Sequence, residues 1–323
     1  MRLGQQLLYL SRADVLALAI DPEAVRVALE AVLISKAAGS VRNAPKLNLL
    51  PGDGRLFQVM MSLADDPPFA AAKVVGLASG NDARGLPHVS ALIVLADAAS
   101  GVPVALMDAS WITAARTAAM TAVAARRLAR IDAARIGFVA CGVQARSHLM
   151  ALCALFPLRE VLAYGHRRAS AEAFAAEARA LGLDAVAVDD PRDAVAGLDI
   201  VVTSVPAAPG SAPFLDPGWL APGSFASLVD LGRSWLRPDA IGRMELRAVD
   251  DHAQTAEAGG RLVYRGPFDA DLTELASGHG PGRRTSDERA VLVSQGLAAA
   301  DLAVAALVYA RARERSLGLA LPL

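Results

Sequence analysis

Arg135-Ile136-Gly137-Phe138-Val139-Ala140-Cys141-Gly142-Val143-Gln144-Ala145-Arg146 is the stretch on which the reading of the fold turns. Residues 135–140 form a short apolar run, predicted as a buried strand. Small residues follow, and 144–155 then read as a helix. Downstream the rhythm repeats. Strands are expected at Glu160–Tyr164, Ala185–Val188, Ile200–Ser204, Ser224–Val229 and Arg247–Val249, with a helix at Ala169–Leu181. Strands alternating with helices imply a parallel sheet with right-handed crossovers. The expected fold class is therefore α/β, with a Rossmann-type doubly wound sheet over 118–292.

Upstream the texture differs. Asp14–Lys36 is helical in period, with Asp21-Pro22 as a start signal. Leu56–Leu63, Ala71–Leu77, Val89–Leu95 and Val102–Met107 are short apolar runs broken by turn residues such as Pro51-Gly52-Asp53-Gly54. They predict an antiparallel sheet. Thr113–Ala129 predicts a helix, and Val291–Ala312 reads as one long Ala-rich helix returning to the N-terminal part. Residues 1–117 and 293–323 are thus expected to form an α+β domain.

The 323 residues suffice for two domains, and at 54% hydrophobic but only 5% aromatic the core should be aliphatic. Lys plus Arg is 32 against Asp plus Glu 33, a balance that argues against nucleic acid as partner. Cys141 and Cys153 fit neither a zinc spacing nor a disulfide framework, so no metal is expected and a reducing compartment is. Met1–Leu10 lacks the signal-peptide pattern, and no apolar run reaches the roughly 20 residues of a membrane span. The expected location is cytoplasmic, away from membranes.

The strand-turn-helix resembles a dinucleotide-binding turn. Such a turn carries glycine first for the tight bend, glycine second for close approach of the pyrophosphate, and a small third residue for helix packing. Here those positions are Ala140, Gly142 and Ala145. The methyl of Ala140 is tolerable if its φ stays negative. Val143 and Gln144 open the helix whose N–H groups would face phosphate. At the end of the second strand, where an acid would bind a ribose 2′-hydroxyl, stands Gly165. His166, Arg167 and Arg168 follow it and favour a 2′-phosphate, hence NADP(H) over NAD(H). An ordinary helix start with two solvated arginines is the plain alternative.

Three residues suggest chemistry. Lys73 lies inside an apolar strand, where burial would lower its pKa. Arg116 lies in an Ala-rich helix and could clamp a carboxylate. Asp230 follows the apolar run Phe225–Val229 at a predicted C-terminal strand end, the ligand-facing edge of an open α/β sheet. Taken singly, each also has a bland reading as edge-strand gatekeeper, solvated arginine or turn cap.

Taken together, these segments resemble the ornithine cyclodeaminase/mu-crystallin family along nearly the whole chain. Ala115-Arg116-Thr117-Ala118-Ala119 through Leu128-Ala129-Arg130 is similar to its R-T-A-A helix, and Gly142-Val143-Gln144-Ala145-Arg146 to its G-x-Q-A-R turn. Lys73-Val74-Val75, Ser294-Gln295-Gly296 and Asp301-Leu302-Ala303 match further elements. The resemblance implies a homodimer in which residues 1–117 and 293–323 form the substrate-binding and dimerisation domain, and it implies NAD(P)(H) and a small amino or imino acid. It implies that Arg42, Lys73 and Arg116 hold the substrate carboxylate, with Lys73 also open to proton transfer. Asp230 would be the acid/base, and Thr203, Ser204, Val205 and Ser294 would lie near the cofactor. Leu231-Gly232-Arg233-Ser234-Trp235 departs from the family's stretch after its aspartate. The implied activity is ornithine cyclodeaminase-like, turning ornithine into proline plus ammonia. Alternatives are an NADPH-dependent imine or ketimine reductase such as a 1-pyrroline-2-carboxylate reductase, an alanine dehydrogenase-like enzyme, and, from another class, a non-catalytic crystallin-like dinucleotide-dependent binding protein.

Overall fold

A computed structural model describes residues 3–207, 210–257 and 262–323, so Met1 and Arg2 of the Met1–Leu10 stretch lie outside the described residues. Two compact units result: Met1–Arg116 with Gly296–Leu323, and Thr117–Gln295. In chain order come β1 (Gln6–Leu10), α1 (Arg12–Ala17), α2 (Pro22–Ala37), β2 (Val41–Asn43), β3 (Leu47–Leu49), β4 (Arg55–Ala64), β5 (Phe69–Ala78), β6 (Val89–Asp97), β7 (Pro103–Asp108) and α3 (Ser110–Leu128). Next are β8 (Arg135–Val139), α4 (Val143–Cys153), β9 (Glu160–Tyr164), α5 (Arg168–Ala180), β10 (Asp184–Ala187), β11 (Ile200–Thr203) and β12 (Phe225–Leu228). The chain ends through α6 (Pro238–Ile241), β13 (Leu246–Val249), α7 (His252–Glu257), β14 (Ala270–Asp271), α8 (Leu272–Ser277), β15 (Ala290–Val293), α9 (Ala298–Glu314) and β16 (Leu319–Pro322).

In the first unit the helices start where local chemistry caps them. Ser11 and Asp14 form a reciprocal capping box, and the Asp21 side chain accepts from Ala24 N at 2.9 Å ahead of Pro22. The sheet runs β16-β1-β7-β6-β5-β4-β2, with β3 also on β4. It is antiparallel apart from the β1–β7 pair. Side chains alternate with period two. Met60, Lys73 and Ile93 stand in one buried cross-strand row. On the opposite face Phe57, Met61, Val74, Leu92 and Val94 are 46, 48, 55, 47 and 40% exposed. The buried face carries α9, and Phe69 meets Tyr309 edge-on at 5.7 Å.

The second unit is an all-parallel sheet, β10-β9-β8-β11-β12-β15-β13-β14. Its winding reverses between β8 and β11, the switch point at which such sheets open a crevice beyond their C-terminal strand ends. The expected α/β Rossmann-type class is the observed one. The single helix expected over Val291–Ala312 is not: Ala290–Val293 is a strand, Ser294–Leu297 a connection, and only Ala298–Glu314 is helical. β15 is fully buried between β12 and β13, and a strand sandwiched that way reads as an unbroken apolar run, which period alone cannot distinguish from a buried helix. Among the described residues no helix is long and apolar enough to cross a membrane.

Candidate active site

The turn after β8 is tied to its neighbouring strands. Ala140 N donates to Tyr164 O at 2.8 Å and Ser204 N to Val139 O at 3.0 Å. The Ser204 hydroxyl reaches Ala140 O at 3.4 Å. Ala140 has φ +77°, so the condition under which its methyl would be tolerated without strain is not met: the bend takes the left-handed conformation even without glycine. Gly142 is different. Its backbone is extended at φ −91°, and a Cβ built there meets no atom within 4 Å. Backbone freedom therefore does not explain the glycine, and the space in front of its Cα is open. Gly142 is the N-cap of α4 without a side-chain cap, leaving amide donors uncapped, and Gln144 Oε1 nearby is buried without a partner. Buried Ala145 lies on the packed side of α4. Cys141 is also buried, and desolvation pushes its thiol up to about 12, which leaves it inert at neutral pH.

Beyond β9, His166, Arg167 and Arg168 are all exposed. Arg168 is engaged, with Glu172 at 3.0 Å and Asp189 at 2.5 Å. Arg167 is the N-cap residue of α5. Thr203 at the end of β11 is buried, Val205 O accepts from Arg233 at 3.2 Å, and buried Ser294 follows β15.

Asp230, at 2% exposure, sits just past β12. Its Oδ1 accepts from the Thr203 hydroxyl and from Gly232 N, both at 3.1 Å, and its Oδ2 from the Ser234 hydroxyl at 2.6 Å. Trp235 Nε1 donates to Thr203 Oγ1 at 3.2 Å, which aims the Thr203 proton at the carboxylate. Burial raises the Asp230 pKa against these three bonds and the Arg233 charge, which lower it. The residues after Asp230 that break the family pattern are thus the ones that hold it.

A buried polar chain that no sequence motif announced runs between α3, α4 and β12. His148 Nδ1 lies 2.8 Å from Gln144 O, an acceptor only, so Nδ1 carries the proton. Nε2 then accepts from Thr121 Oγ1 at 3.0 Å, and Thr121 accepts from Ser227 at 2.7 Å. Burial lowers the His148 pKa to about 4.

In the first unit Lys73 is 1% exposed, and its Nζ donates to Asp301 Oδ1 at 2.6 Å. Arg116 Nε donates to the same oxygen at 3.0 Å. Asp301, on α9, was quoted in the sequence only as part of a motif. An acid inside the run Ala298–Ala306 was the available signal. The pKa of Lys73 is lowered to about 8 by burial and then by Arg116, with Asp301 opposing and Lys46 adding to the decrease. Lys46 precedes Leu47, which pairs with Val59, so one further step of register sets Lys46 against Met60 in the Lys73 row. Arg42 is not in this group. It is exposed and opposite Leu63, three residues from Met60, which puts it on the other face of the sheet from Lys73. The alternation in this part of the sheet was invisible without the register. Among the described residues no cluster of His, Cys, Asp or Glu could hold a metal ion.

Residues 9–316 match the model of the ornithine cyclodeaminase/mu-crystallin family. An alanine dehydrogenase of Archaeoglobus fulgidus is 31% identical over 266 residues, 77% of this chain and 79% of that one. Among solved structures, the 1-pyrroline-2-carboxylate reductase of Thermococcus litoralis with NADH and L-proline superimposes with TM-score 0.87 at 29% identity, covering 97% of this chain and 99% of that one. An archaeal alanine dehydrogenase dimer with bound NAD gives 0.88 at 28% identity, covering 98% and 99%.

Proposed function

The chain belongs to the ornithine cyclodeaminase/mu-crystallin family, and we propose that it is a nicotinamide-dependent oxidoreductase that reduces a small α-imino acid to the α-amino acid. The observation that carries this reading is the buried group of Lys73 and Arg116 on Asp301, with Lys46 beside it. Lys73 Nζ has donors beyond its one bond to Asp301, and an ammonium held beside a guanidinium suits a substrate carboxylate. The dinucleotide, when bound, supplies or accepts the hydride. The residues fit it. Gly142 leaves the pyrophosphate room, α4 offers its first amides, and Ser204 and Thr203 line the end of β11 at the switch point.

Reduction of C=N takes one hydride to carbon and one proton to nitrogen. Lys73, brought down to about 8 by burial, is a group able to hold and release a proton near neutrality, and burial raises the Asp230 carboxyl above its ordinary value. The clamp holds the α-carbon in place for transfer, which can supply several kcal/mol of the barrier, about 7 at the lower end for well-oriented reactions.

For a 2′-phosphate we assign His166 and Arg167. Arg168 is removed from that role by its pairing with Glu172 and Asp189. NADP(H) is preferred on this ground. Ornithine cyclodeamination is the second reading. The charges acting on Lys73 are two cations and a single acid already bound to it, a poor setting for a substrate that brings a second ammonium. We further propose a homodimer in which the exposed apolar face of β4, β5 and β6 meets a second copy, because a contiguous patch of this kind on a free monomer is unusual.

The test is loss of reduced-nicotinamide absorbance with NADPH or NADH and 1-pyrroline-2-carboxylate, its six-membered homologue, or pyruvate with ammonia. Ornithine with NAD is run as the competing arm. Turnover with an imine, abolished in Lys73→Met, supports reduction. Proline and ammonia formed from ornithine replaces it with cyclodeamination. Dinucleotide binding without turnover in any arm favours the binding-protein reading.

A further inference from the structure

Asp301, the acid that Lys73 and Arg116 share, has an unusual geometry for a core residue. It lies on the buried face of α9 at 2% exposure, amid Ala298–Ala300 and Leu302–Ala306, all buried. One oxygen, Oδ1, takes both Lys73 Nζ at 2.6 Å and Arg116 Nε at 3.0 Å. The other, Oδ2, is buried with no hydrogen-bond partner. Lys73 Nζ in turn donates one hydrogen bond, to Asp301, from three available protons. A purely structural requirement would not produce this arrangement. Buried ion pairs are commonly replaced by apolar side chains at no loss of stability, and a half-satisfied one is worse than an apolar core. Gly296 completes the picture. With φ +86° it passes so close to Arg116 that a Cβ would lie 2.8 Å from Nη1, so the backbone leading into α9 is shaped around the guanidinium.

We propose that Asp301 is a positioning residue: it holds the Lys73 ammonium and the Arg116 guanidinium against one oxygen, so that Lys73 keeps unused donors for a ligand carboxylate. This rests on the reading of Lys73 and Arg116 as a carboxylate clamp. The groups that face Lys73 electrostatically are Asp301 from α9, Arg116 from α3 and Lys46 ahead of β3. Asp301 is the one among them that favours the charged amine. Without its charge, two neighbouring cations and burial act alone, and Lys73 loses its proton at lower pH.

The experiment compares the full-length wild type with Asp301→Asn, Asp301→Glu, Lys73→Met and the Asp301→Asn/Lys73→Met pair. It reads KM and kcat for 1-pyrroline-2-carboxylate, and calorimetric binding of pyrrole-2-carboxylate, a planar carboxylate that cannot be reduced, between about pH 6.5 and 9 to span the Lys73 titration. In Asp301→Asn, KM rises about tenfold or more at pH 8 while kcat changes less than about threefold, and the alkaline limit of kcat/KM moves down by about one pH unit. Lowering the pH recovers most of the loss. In the Lys73→Met background the same substitution changes binding less than about twofold, because the group it acts through is gone. Asp301→Glu keeps the alkaline limit and, should Asp301→Asn not fold, carries the comparison by the displacement of its carboxylate alone, seen as a raised KM.

Altered thermal stability with KM and the alkaline limit in place would make Asp301 a structural residue and overturn the proposal. So would an equal loss in the presence and absence of Lys73. If the wild type turns over no imine but binds pyrrole-2-carboxylate with the same dependence on Asp301 and pH, the reductase reading fails and the positioning role stands. No binding at any pH overturns both.

Discussion

Replacing Ala140 by glycine should make the second unit more stable, against the usual effect of glycine. At φ +77° the alanine methyl crowds the backbone, a conformation that costs an L-residue about 1–2 kcal/mol. Glycine removes that cost but gives the unfolded chain more freedom, which takes back about 0.4–1 kcal/mol. The net gain is about 0.8 kcal/mol, or about 2 °C in Tm for a unit of this size. The neighbouring site supplies the contrast. Gly142 is extended and has open space around its missing Cβ, so Gly142→Ala should leave Tm unchanged or slightly raised in the absence of ligand. The methyl would stand where a pyrophosphate comes closest, and affinity for NADPH and NADH should fall about tenfold or more, the worth of one well-made phosphate hydrogen bond. Differential scanning calorimetry without ligand and fluorescence titration with each dinucleotide measure the two effects separately. An Ala140→Gly protein that melts lower would refute the strain argument, and undiminished dinucleotide binding by Gly142→Ala would refute the assignment of the turn.

Buried neutral His148 makes the second unit acid-sensitive. Its pKa falls from 6.5 unfolded to about 4 folded, so the unfolded state takes up the proton first. Stability is therefore lost as pH falls from about 6.5 towards 4, by about 3 kcal/mol, and His148→Gln should flatten that limb in urea titrations read by circular dichroism. Val74→Glu combined with Leu92→Lys puts charge on the exposed sheet face and should convert a dimer to monomer in sedimentation velocity. An unchanged mass would place any dimer contact elsewhere. Gly296→Ala should raise KM for the carboxylate substrate with little change in dinucleotide affinity, because the added methyl crowds the Arg116 guanidinium, and it should also lower stability by about 1–2 kcal/mol, the cost of alanine at φ +86°. Above about pH 8, KM should rise as Lys73 loses its proton, without an equal fall in kcat.

The parallel sheet was legible because β8, β9, β11 and β12 are short apolar runs separated by helices of ordinary length, and local period carries that signal. β15 was misread because a strand buried on both faces has no alternation to show. β1 and β16 were overlooked for a different reason. Their pairing joins the two ends of the chain, and nothing local announces it. The same distinction governs the site. Lys73, Arg116 and Asp230 stood out as charges in apolar surroundings. Asp301 had the same signature but was absorbed into a motif. That Arg42 faces away from Lys73 while Lys46 faces the same way could not be read from the sequence, because only the strand register tells which face of the sheet a residue occupies. The φ of Ala140 could not be read from its identity, since the bend and not the side chain dictates it.

Burial moves the two ionisable centres in opposite directions, and that has a mechanistic use. An amine with an ordinary value of 10.5 would never release a proton at neutral pH, and a carboxyl at 3.8 would never hold one. Desolvation brings Lys73 down to about 8 and raises Asp230, so each is adjusted towards the range in which a general acid both carries and gives up its proton. Their surroundings then separate the roles. Lys73 shares its anion with Arg116, and on the carboxylate-clamp proposal the loss of its charge should be felt in KM. Asp230 accepts three hydrogen bonds from Thr203, Gly232 and Ser234, which fix its direction while one oxygen keeps a lone pair for a proton. Its loss should be felt in kcat. A residue that only bound ligand would need neither the raised pKa nor the fixed aim, so Asp230→Asn should lower kcat with little change in dinucleotide affinity, and an unchanged kcat would remove Asp230 from the chemistry.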